Sequence, residues 1–507
     1  MNTKRPEAEK VIASNISQRS YQALVWNYSG SAVSMSSQLI IGIVLARLLG
    51  PEAFGIVAIG MLMIGIGNLV VDFGFGAALI QGKSVTERDI GFVFSAQVTL
   101  GALLTLTGYI ASSEIAIFFH HPDATPIIAA MSLLFFIQAF GQSAGAMLRR
   151  SLNFKAYQSI NIASYLTGYV LVGIPCAVHG FGPWSLVAAQ LVQSFMFSLV
   201  AMWLSRLPMR LTLKPESPGL FAFGGKVITT NLINWGISNF DSFAVGRFLG
   251  ISDLGIYNRA MVLIAAPVNT LSGTLQGVLF AACSRAQTDT SQIRKAYFAA
   301  STMLGLLSLP FCLTVASVPG TVIAVIYGTK WAGAIPVFRP IALALAINAL
   351  LSVIGPILTA QNKVMLELRA QVISLLVMLP VVYLTAQQSV TAVAWGVLFV
   401  SMVRWALLLQ ALSGSLDTTC WELLKPVRWP LICATITAGL TWTIDHLLQG
   451  MSPFSRLVGD VITAMLSLIF IFQFFGKKIM QGPHGDYLIL HGRLPLLVQR
   501  WIGLYRG

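Results

Sequence analysis

Long apolar stretches alternate with short polar joints along almost the whole chain. Fourteen such stretches lie near 26–49, 54–80, 90–112, 126–148, 157–179, 183–205, 221–248, 254–284, 292–318, 333–360, 366–386, 389–412, 427–449 and 455–475. Each is about 20 residues or longer, enough for a helix rising 1.5 Å per residue to cross a hydrocarbon core of about 30 Å. Many contain Gly or Pro, which membrane helices tolerate where neighbours re-satisfy the backbone. The pattern predicts an all-α polytopic membrane protein with about 14 transmembrane helices.

The placement of basic residues tests this count independently, because cytoplasmic connections collect Lys and Arg. With the N-terminus inside, alternate connections hold 24 of the 32 Lys and Arg. The other eight are Arg47, Lys226, Arg247, Arg259, Lys330, Arg339, Arg404 and Arg456, of which only Lys330 and Arg456 sit plainly in or beside an outer connection. A wrong count would scramble the alternation, so fourteen spans with both ends cytoplasmic are expected. The alternative is twelve spans followed by a peripheral hairpin after residue 420. No outer connection exceeds about fifteen residues on this segmentation, so chemistry belongs in or between the spans.

Composition supports the same class. Of 507 residues 56% are hydrophobic and 10% charged, where soluble chains carry about 25% charged residues. A mean hydropathy of +0.77 also excludes disorder, which needs low hydrophobicity and high charge. The formal charge of +14 fits cytoplasmic loops facing anionic lipid headgroups rather than nucleic acid, for which no soluble domain is expected. Cys176, Cys283, Cys312, Cys420 and Cys433 have no CxxC spacing and read as small apolar residues. The first twenty residues are polar and no cleavage pattern follows the stretch from Trp26, so no cleavable signal peptide is expected.

An internal repeat organises the chain. Arg47-Leu48-Leu49-Gly50-Pro51-Glu52-Ala53-Phe54-Gly55-Ile56 matches Arg247-Phe248-Leu249-Gly250-Ile251-Ser252-Asp253-Leu254-Gly255-Ile256 at an offset of 200, and Met61/Met261 and Ile64/Ile264 continue it. Each copy joins the first and second span of a half, with Gly50 and Gly250 expected as helix C-caps. Six spans per half is an even number, so both halves enter the membrane in one direction, as in transporters built from parallel repeats. The predicted organisation is an N-terminal lobe over 1–215, a C-terminal lobe over 216–420, two extra helices within 421–475 and a basic cytoplasmic tail over 476–507. A duplicated scaffold with the motif acting only as a tight turn is the plainer alternative.

Ionisable residues inside spans are costly and usually face a cavity or one another. They are Asp72, Lys226, Asp241, Arg247, Arg259, Arg339 and Arg404, with Arg47 ending the first span. Arg47, Arg247, Arg259 and Arg339 fall in the outer third of their spans and are candidates to line one vestibule, where planar guanidinium groups grip phosphate oxygens. Snorkelling to the interface is the alternative for each. Asp72 and Asp241 are candidates for pairing with an arginine or for binding a coupling cation.

The sequence has no HExxH or DxD, and Gly224-Gly225-Lys226-Val227 lacks the spacing and hydroxyl of a nucleotide-binding loop. Neither cofactor nor metal is expected, and the six histidines, His120 and His121 among them, lack ligand spacing. The basic, semi-amphipathic tail from Lys477 is expected on the cytoplasmic interface.

The segments Ala46–Gly55, Asp72-Phe73-Gly74-Phe75-Gly76-Ala77-Ala78-Leu79-Ile80-Gln81 and Asn239-Phe240-Asp241 through Arg247 to Ala260 resemble the polysaccharide-exporter branch of the multidrug/oligosaccharidyl-lipid/polysaccharide flippase superfamily, and within it the Wzx-like flippases of the colanic acid and xanthan type. The likeness covers about residues 20–480. It implies two six-helix lobes around a cationic cavity, and translocation of an undecaprenyl-diphosphate-linked oligosaccharide from the cytoplasmic to the periplasmic leaflet of the bacterial inner membrane. Membrane lipids, a polysaccharide polymerase and export machinery are the implied partners. The resemblance assigns no residue roles, so the cavity residues rest on the charge pattern. A cation-coupled multidrug exporter shares the repeat but calls for acidic cavity residues. A membrane-bound polymerase or glycosyltransferase calls for a long outer loop or an acidic metal motif.

Overall fold

The computed structural model describes residues 5–81, 85–206, 212, 216, 220–287 and 289–480; the tail beyond Met480 and most of the segment at 207–219, where the boundary between the predicted lobes falls, lie outside the described residues. Among the described residues the fold is all helix, with no strand. It divides into two compact units, Met1–Gly255 and Ile256–Gly507. Among the described residues twelve helices are long and apolar enough to cross a membrane, and the chain is a multi-pass membrane protein. The two other predicted spans, 221–248 and 427–449, are also helices, Leu220–Phe248 and Cys420–Leu447, but both fall outside that set of twelve. Their polar residues, Asn231, Asn234, Asn239 and Asp241 in the first and Asp445 and His446 in the second, lower the mean hydropathy.

The first unit contains α1 (Arg5–Leu48), α2 (Pro51–Asp72), α3 (Phe75–Gln81), α4 (Glu87–Ile110), α5 (Ser112–Phe118), α6 (Thr125–Arg150), α7 (Phe154–Gly168), α8 (Ile174–Val178), α9 (Pro183–Ser205) and α10 (Leu220–Phe248). Helix α6 is its centre and packs against α2, α4 and α9. Small residues allow this: a Cβ on Gly101 of α4 would stand 2.8 Å from Ala139 of α6, and one on Gly67 of α2 would overlap the Phe135 ring. Close backbone approach of this kind drives helix association where lipid is as apolar as the side chains. The predicted span 54–80 is not one helix. It breaks at Phe73 and Gly74, both with positive φ (43° and 73°). The Asp72 carboxylate then accepts the Gly76 N–H at 3.0 Å, which supplies a partner to the exposed start of α3. Phe75 and Leu79 anchor α3 in a small core with Phe92 and Val93 of α4.

Between the repeat helices, Gly250 has φ 109° and its N–H bonds the Val245 carbonyl at 3.2 Å, the expected close of a helix end. Gly50 differs: φ −87° and ψ 174° make it the extended N-cap of α2, where Pro51 takes the first helical position.

The second unit holds the rest of α11 (Ile251–Arg285), then α12 (Thr290–Ser317), α13 (Pro319–Ile326), α14 (Ile335–Leu351), α15 (Ile354–Ala360), α16 (Val364–Ala386), α17 (Val390–Ser415), α18 (Cys420–Leu447) and α19 (Pro453–Met480). Helix α12 packs against α14 and α18, and α17 against α14 and α16. Helix α18 is part of this core, burying Leu423, Pro430, Cys433, Ala434 and Thr437, with Pro430 seated against Gly305 of α12. Helix α19 leaves Val461, Ile462, Met465, Leu466 and Phe470 exposed, an apolar face suited to lipid.

Candidate functional site

A polar cavity lies inside the first unit, among α6, α7 and α9. On α6, Gln138, Gln142 and Arg149 recur at intervals of four and seven, which places them on one helical face. Gln190, Gln193 and Ser194 of α9 and Tyr157 and Asn161 of α7 meet that face and enclose a cavity of about 270 Å³. Amides and hydroxyls supply both donors and acceptors, and such groups inside a bilayer are costly unless bonded or hydrated. Several are bonded. Gln138 Oε1 accepts from Asn68 at 2.8 Å, and Gln138 Nε2 donates to Ser194 at 3.2 Å. Gln97 of α4 donates to Gln142 at 3.4 Å and to Asp72 at 3.3 Å, and accepts from Ser143 at 2.5 Å. The Tyr169 hydroxyl donates to Gln190 at 2.7 Å. The Arg149 guanidinium stands 5.4 Å from the Tyr157 ring centre, and that ring meets Phe197 edge-on at 5.9 Å. The cavity thus offers neutral hydrogen-bonding groups along its walls, an aromatic face and a cation. It lies just below the usual range of whole small-molecule pockets, about 300–1,000 Å³, and suits one piece of a larger polar ligand.

The charged candidates of the sequence stand elsewhere. In the first unit Arg47 is exposed in the last turn of α1. Arg247, in the last turn of α10, lies 2.7 Å from His120 Nδ1 and 4.8 Å from the Phe118 ring centre. Asp72 is taken up by the break between α2 and α3 and by Gln97. Asp241 is 4% exposed and accepts the Ser242 N–H at 2.7 Å. The side chain of Lys226 lies outside the described residues. In the second unit Arg259 is half-buried, and its carbonyl accepts the Tyr327 hydroxyl at 3.2 Å. Arg339 is exposed and donates Nε to the Ala316 carbonyl at 3.2 Å. Arg404 shares an electrostatic interaction with Glu367, its Nε buried without a hydrogen bond. Among the described residues no ion pair involves Arg247 or Arg339.

The amide cavity was missed by a search for charges. Its signal is nonetheless in the sequence: Gln138, Gln142 and Arg149 on α6 and Gln190, Gln193 and Ser194 on α9 interrupt otherwise apolar spans at helical spacing.

The chain is 25% identical to the teichuronic acid biosynthesis protein TuaB of Bacillus subtilis (strain 168) over 427 residues, covering 80% of this chain and 85% of that protein. It is 24% identical to the lipopolysaccharide biosynthesis protein WzxC of Escherichia coli (strain K12) over 388 residues, 75% of this chain and 78% of WzxC. Among solved structures, the lipid II flippase MurJ in an inward closed conformation superposes with a TM-score of 0.70 at 14% identity, covering 89% of this chain and 99% of MurJ. That likeness shows a shared fold. The family model described as polysaccharide biosynthesis protein matches residues 44–336, more than half of the sequence and both copies of the internal repeat, and the chain belongs to that family.

Proposed function

We propose that this protein is a flippase that moves an undecaprenyl-diphosphate-linked oligosaccharide from the cytoplasmic to the periplasmic leaflet for surface polysaccharide export. The observation that carries the reading is the amide-lined cavity buried among the membrane helices of a chain in the polysaccharide biosynthesis family. Moving one hydroxyl from water to hydrocarbon costs roughly 4–8 kcal/mol, so an oligosaccharide needs a hydrogen-bonding path. Neutral amides suit sugar hydroxyls, because they exchange donors and acceptors without a fixed charge. A cationic drug would instead call for acidic walls, and among the described residues no acid lines this cavity.

In this reading Arg47, Arg247, Arg259 and Arg339 take the diphosphate, since guanidinium groups bind phosphate oxygens in pairs, while the polyprenyl chain stays in lipid. Asp72 and Asp241 hold local structure, which their backbone hydrogen bonds support. The two lobes, divided near 215, alternate access. Residues 421–475 form the added hairpin, and the tail from 476 lies on the cytoplasmic face. The protein sits in the bacterial inner membrane with both termini cytoplasmic, acts without a cofactor or catalytic step of its own, and delivers its load to polymerase and export machinery.

Deletion of the gene in its own host tests this. The expected result is loss of surface polysaccharide, with lipid-linked oligosaccharide accumulating out of reach of a periplasmic sugar-modifying probe. Wild type restores both and Arg339→Ala does not. Normal lipid-linked pools and normal polysaccharide, with new drug sensitivity, would overturn the proposal in favour of a multidrug exporter.

A further inference from the structure

The hydrogen bonds behind the amide cavity give its walls a direction. The Asp72 carboxylate can only accept, so Gln97 turns its Nε2 toward it, at 3.3 Å. The same nitrogen donates to Gln142 Oε1 at 3.4 Å, while the Gln97 oxygen accepts from Ser143. Gln142 thus has its oxygen engaged behind the wall, and its N–H groups remain for the lining. Gln190 repeats the arrangement from α9. Its oxygen accepts from the Tyr169 hydroxyl at 2.7 Å, and the Tyr169 ring stacks on Tyr165 with centroids 4.6 Å apart. Gln138 is occupied at both ends, by Asn68 and Ser194. Arg149 donates Nε to the Gly145 carbonyl at 3.4 Å and rests against the Tyr157 ring. Among the described residues it forms no ion pair, so its terminal nitrogens remain for a ligand. On the other side of the balance, Asn161 brings its nitrogen to Ser34 at 3.5 Å and leaves an oxygen on the wall. Donors outnumber acceptors, and the one charge on the lining is positive.

A sugar hydroxyl is satisfied by either end of an amide and needs no cation. A carboxylate has acceptors only, and a guanidinium meets its two oxygens with two parallel N–H groups. A diphosphate carries more than one charge, whereas a single guanidinium among neutral donors matches a single anionic group. We infer that this cavity selects a sugar bearing a carboxylate, of the uronic acid class, with the carboxylate on Arg149 and further ligand oxygens on the N–H groups of Gln142 and Gln190. The inference rests on the flippase reading and deepens it: the repeat unit carried is acidic. Arg149, which the positive-inside pattern counts with a cytoplasmic connection, is then a specificity-determining residue.

The test titrates the purified full-length protein in detergent with two soluble disaccharides, cellobiose and cellobiouronic acid, in which one hydroxymethyl group is replaced by a carboxylate. Inorganic pyrophosphate is the third ligand, and calorimetry reads binding. Wild type is expected to bind cellobiouronic acid about tenfold more tightly than cellobiose, the lower end of what a hydrogen bond to a charged group contributes. Arg149→Gln is expected to bring the two affinities together. Gln142→Glu keeps an oxygen for Gln97 and replaces the donor end by an acceptor. It is expected to abolish the preference with Arg149 in place, and it decides the matter if Arg149→Gln does not fold. Equal affinities in wild type, or an intact preference in the folded variants, overturn the inference. Pyrophosphate bound more tightly than cellobiouronic acid, and lost in Arg149→Gln, overturns it too, by assigning the guanidinium to the diphosphate. These probes carry no lipid and no translocation is read. A failed selectivity therefore shows in the titrations alone, whereas a failed flippase reading shows in the leaflet distribution of the oligosaccharide.

Discussion

Gly55 and Gly255, matching glycines of the two repeat copies, lie against one another within the first unit. A Cβ on Gly255 would stand 3.0 Å from the Gly55 nitrogen and overlap the Pro51 carbonyl, and one on Gly55 would overlap the Ile251 carbonyl and stand 2.6 Å from Ile251 Cγ2. The relation is reciprocal: each of these glycines meets the carbonyl of the residue that follows the first glycine of the other copy, Ile251 after Gly250 and Pro51 after Gly50. The repeat Arg-x-Leu-Gly-x-x-x-x-Gly-Ile is thus a packing device as well as a turn, because its second glycine lets backbone touch backbone.

Substitution there is expected to be costly. Gly55→Ala and Gly255→Ala must each separate two backbones, and overpacking of this kind costs about 1–3 kcal/mol. The double variant is expected to cost less than the sum of the singles, since either alanine already forces the helices apart. Gly273→Ala and Gly414→Ala, with nothing within 4 Å of the added Cβ, are expected to be neutral or slightly stabilising. Thermal melts in detergent read all five, and a strictly additive double variant would show that the two glycines do not share one contact.

Much of this architecture is legible in the sequence. Hydropathy alone gives the all-helical class and the place of most helices, with 183–205 matching Pro183–Ser205 of α9, although α1 begins at Arg5, well before the apolar stretch at 26–49, and 333–360 divides into α14 and α15. Two features are hidden from it for physical reasons. The break at Phe73-Gly74 leaves hydropathy unchanged, because a turn of apolar residues reads as continuous span; only the Gly-x-Gly after Asp72 hints at it. The amide cavity is hidden because a glutamine lowers mean hydropathy little when flanked by Phe, Leu and Ala, and its meaning appears only when α6, α7 and α9 are packed together. Asp72, an acid in a span, draws attention as a candidate for ion coupling or for structural pairing, and its hydrogen bonds go to the chain break and Gln97.

Asp72 therefore separates two roles by one substitution. Asn keeps an acceptor oxygen for the Gly76 N–H and removes the charge. Asp72→Asn is expected to leave stability and polysaccharide export close to wild type, whereas Asp72→Ala is expected to lose about 0.5–2 kcal/mol, the usual range for a lost cap. Loss of export in a stable Asp72→Asn protein would return the residue to ion coupling.

The amide cavity predicts a split between function and stability. Gln193 lines the cavity, so Gln193→Leu is expected to cut surface polysaccharide severalfold with little change in melting. Gln138 also joins Asn68 to Ser194. Gln138→Leu strands both partners, at about 1–3 kcal/mol for a buried polar group left without a bond, and is expected to lower both melting temperature and export. If both variants export normally, the cavity is not on the sugar's path.

The last prediction concerns the end of the α18–α19 hairpin. Arg456 grips Asp445 in a two-point contact at 2.6 and 3.0 Å, and the Thr321 hydroxyl, from α13, donates to the same carboxylate at 2.5 Å. Asp460, one turn along α19 from Arg456, is 2% exposed and stands close to both Asp445 and Arg456. One arginine thus stands beside two carboxyl groups, at the point where α18 and α19 are tied to α13. Arg456→Met leaves Asp445 without its cation. Breaking one side of a largely buried pair costs about 3 kcal/mol, since the remaining charge keeps its desolvation penalty. Asp445→Asn in the same chain removes that charge and is expected to recover most of the loss, so the coupling between the two sites should be large and favourable. Additive losses in detergent melts would mean that the pair, for all its two-point geometry, is a surface contact contributing the small amount typical of exposed ion pairs.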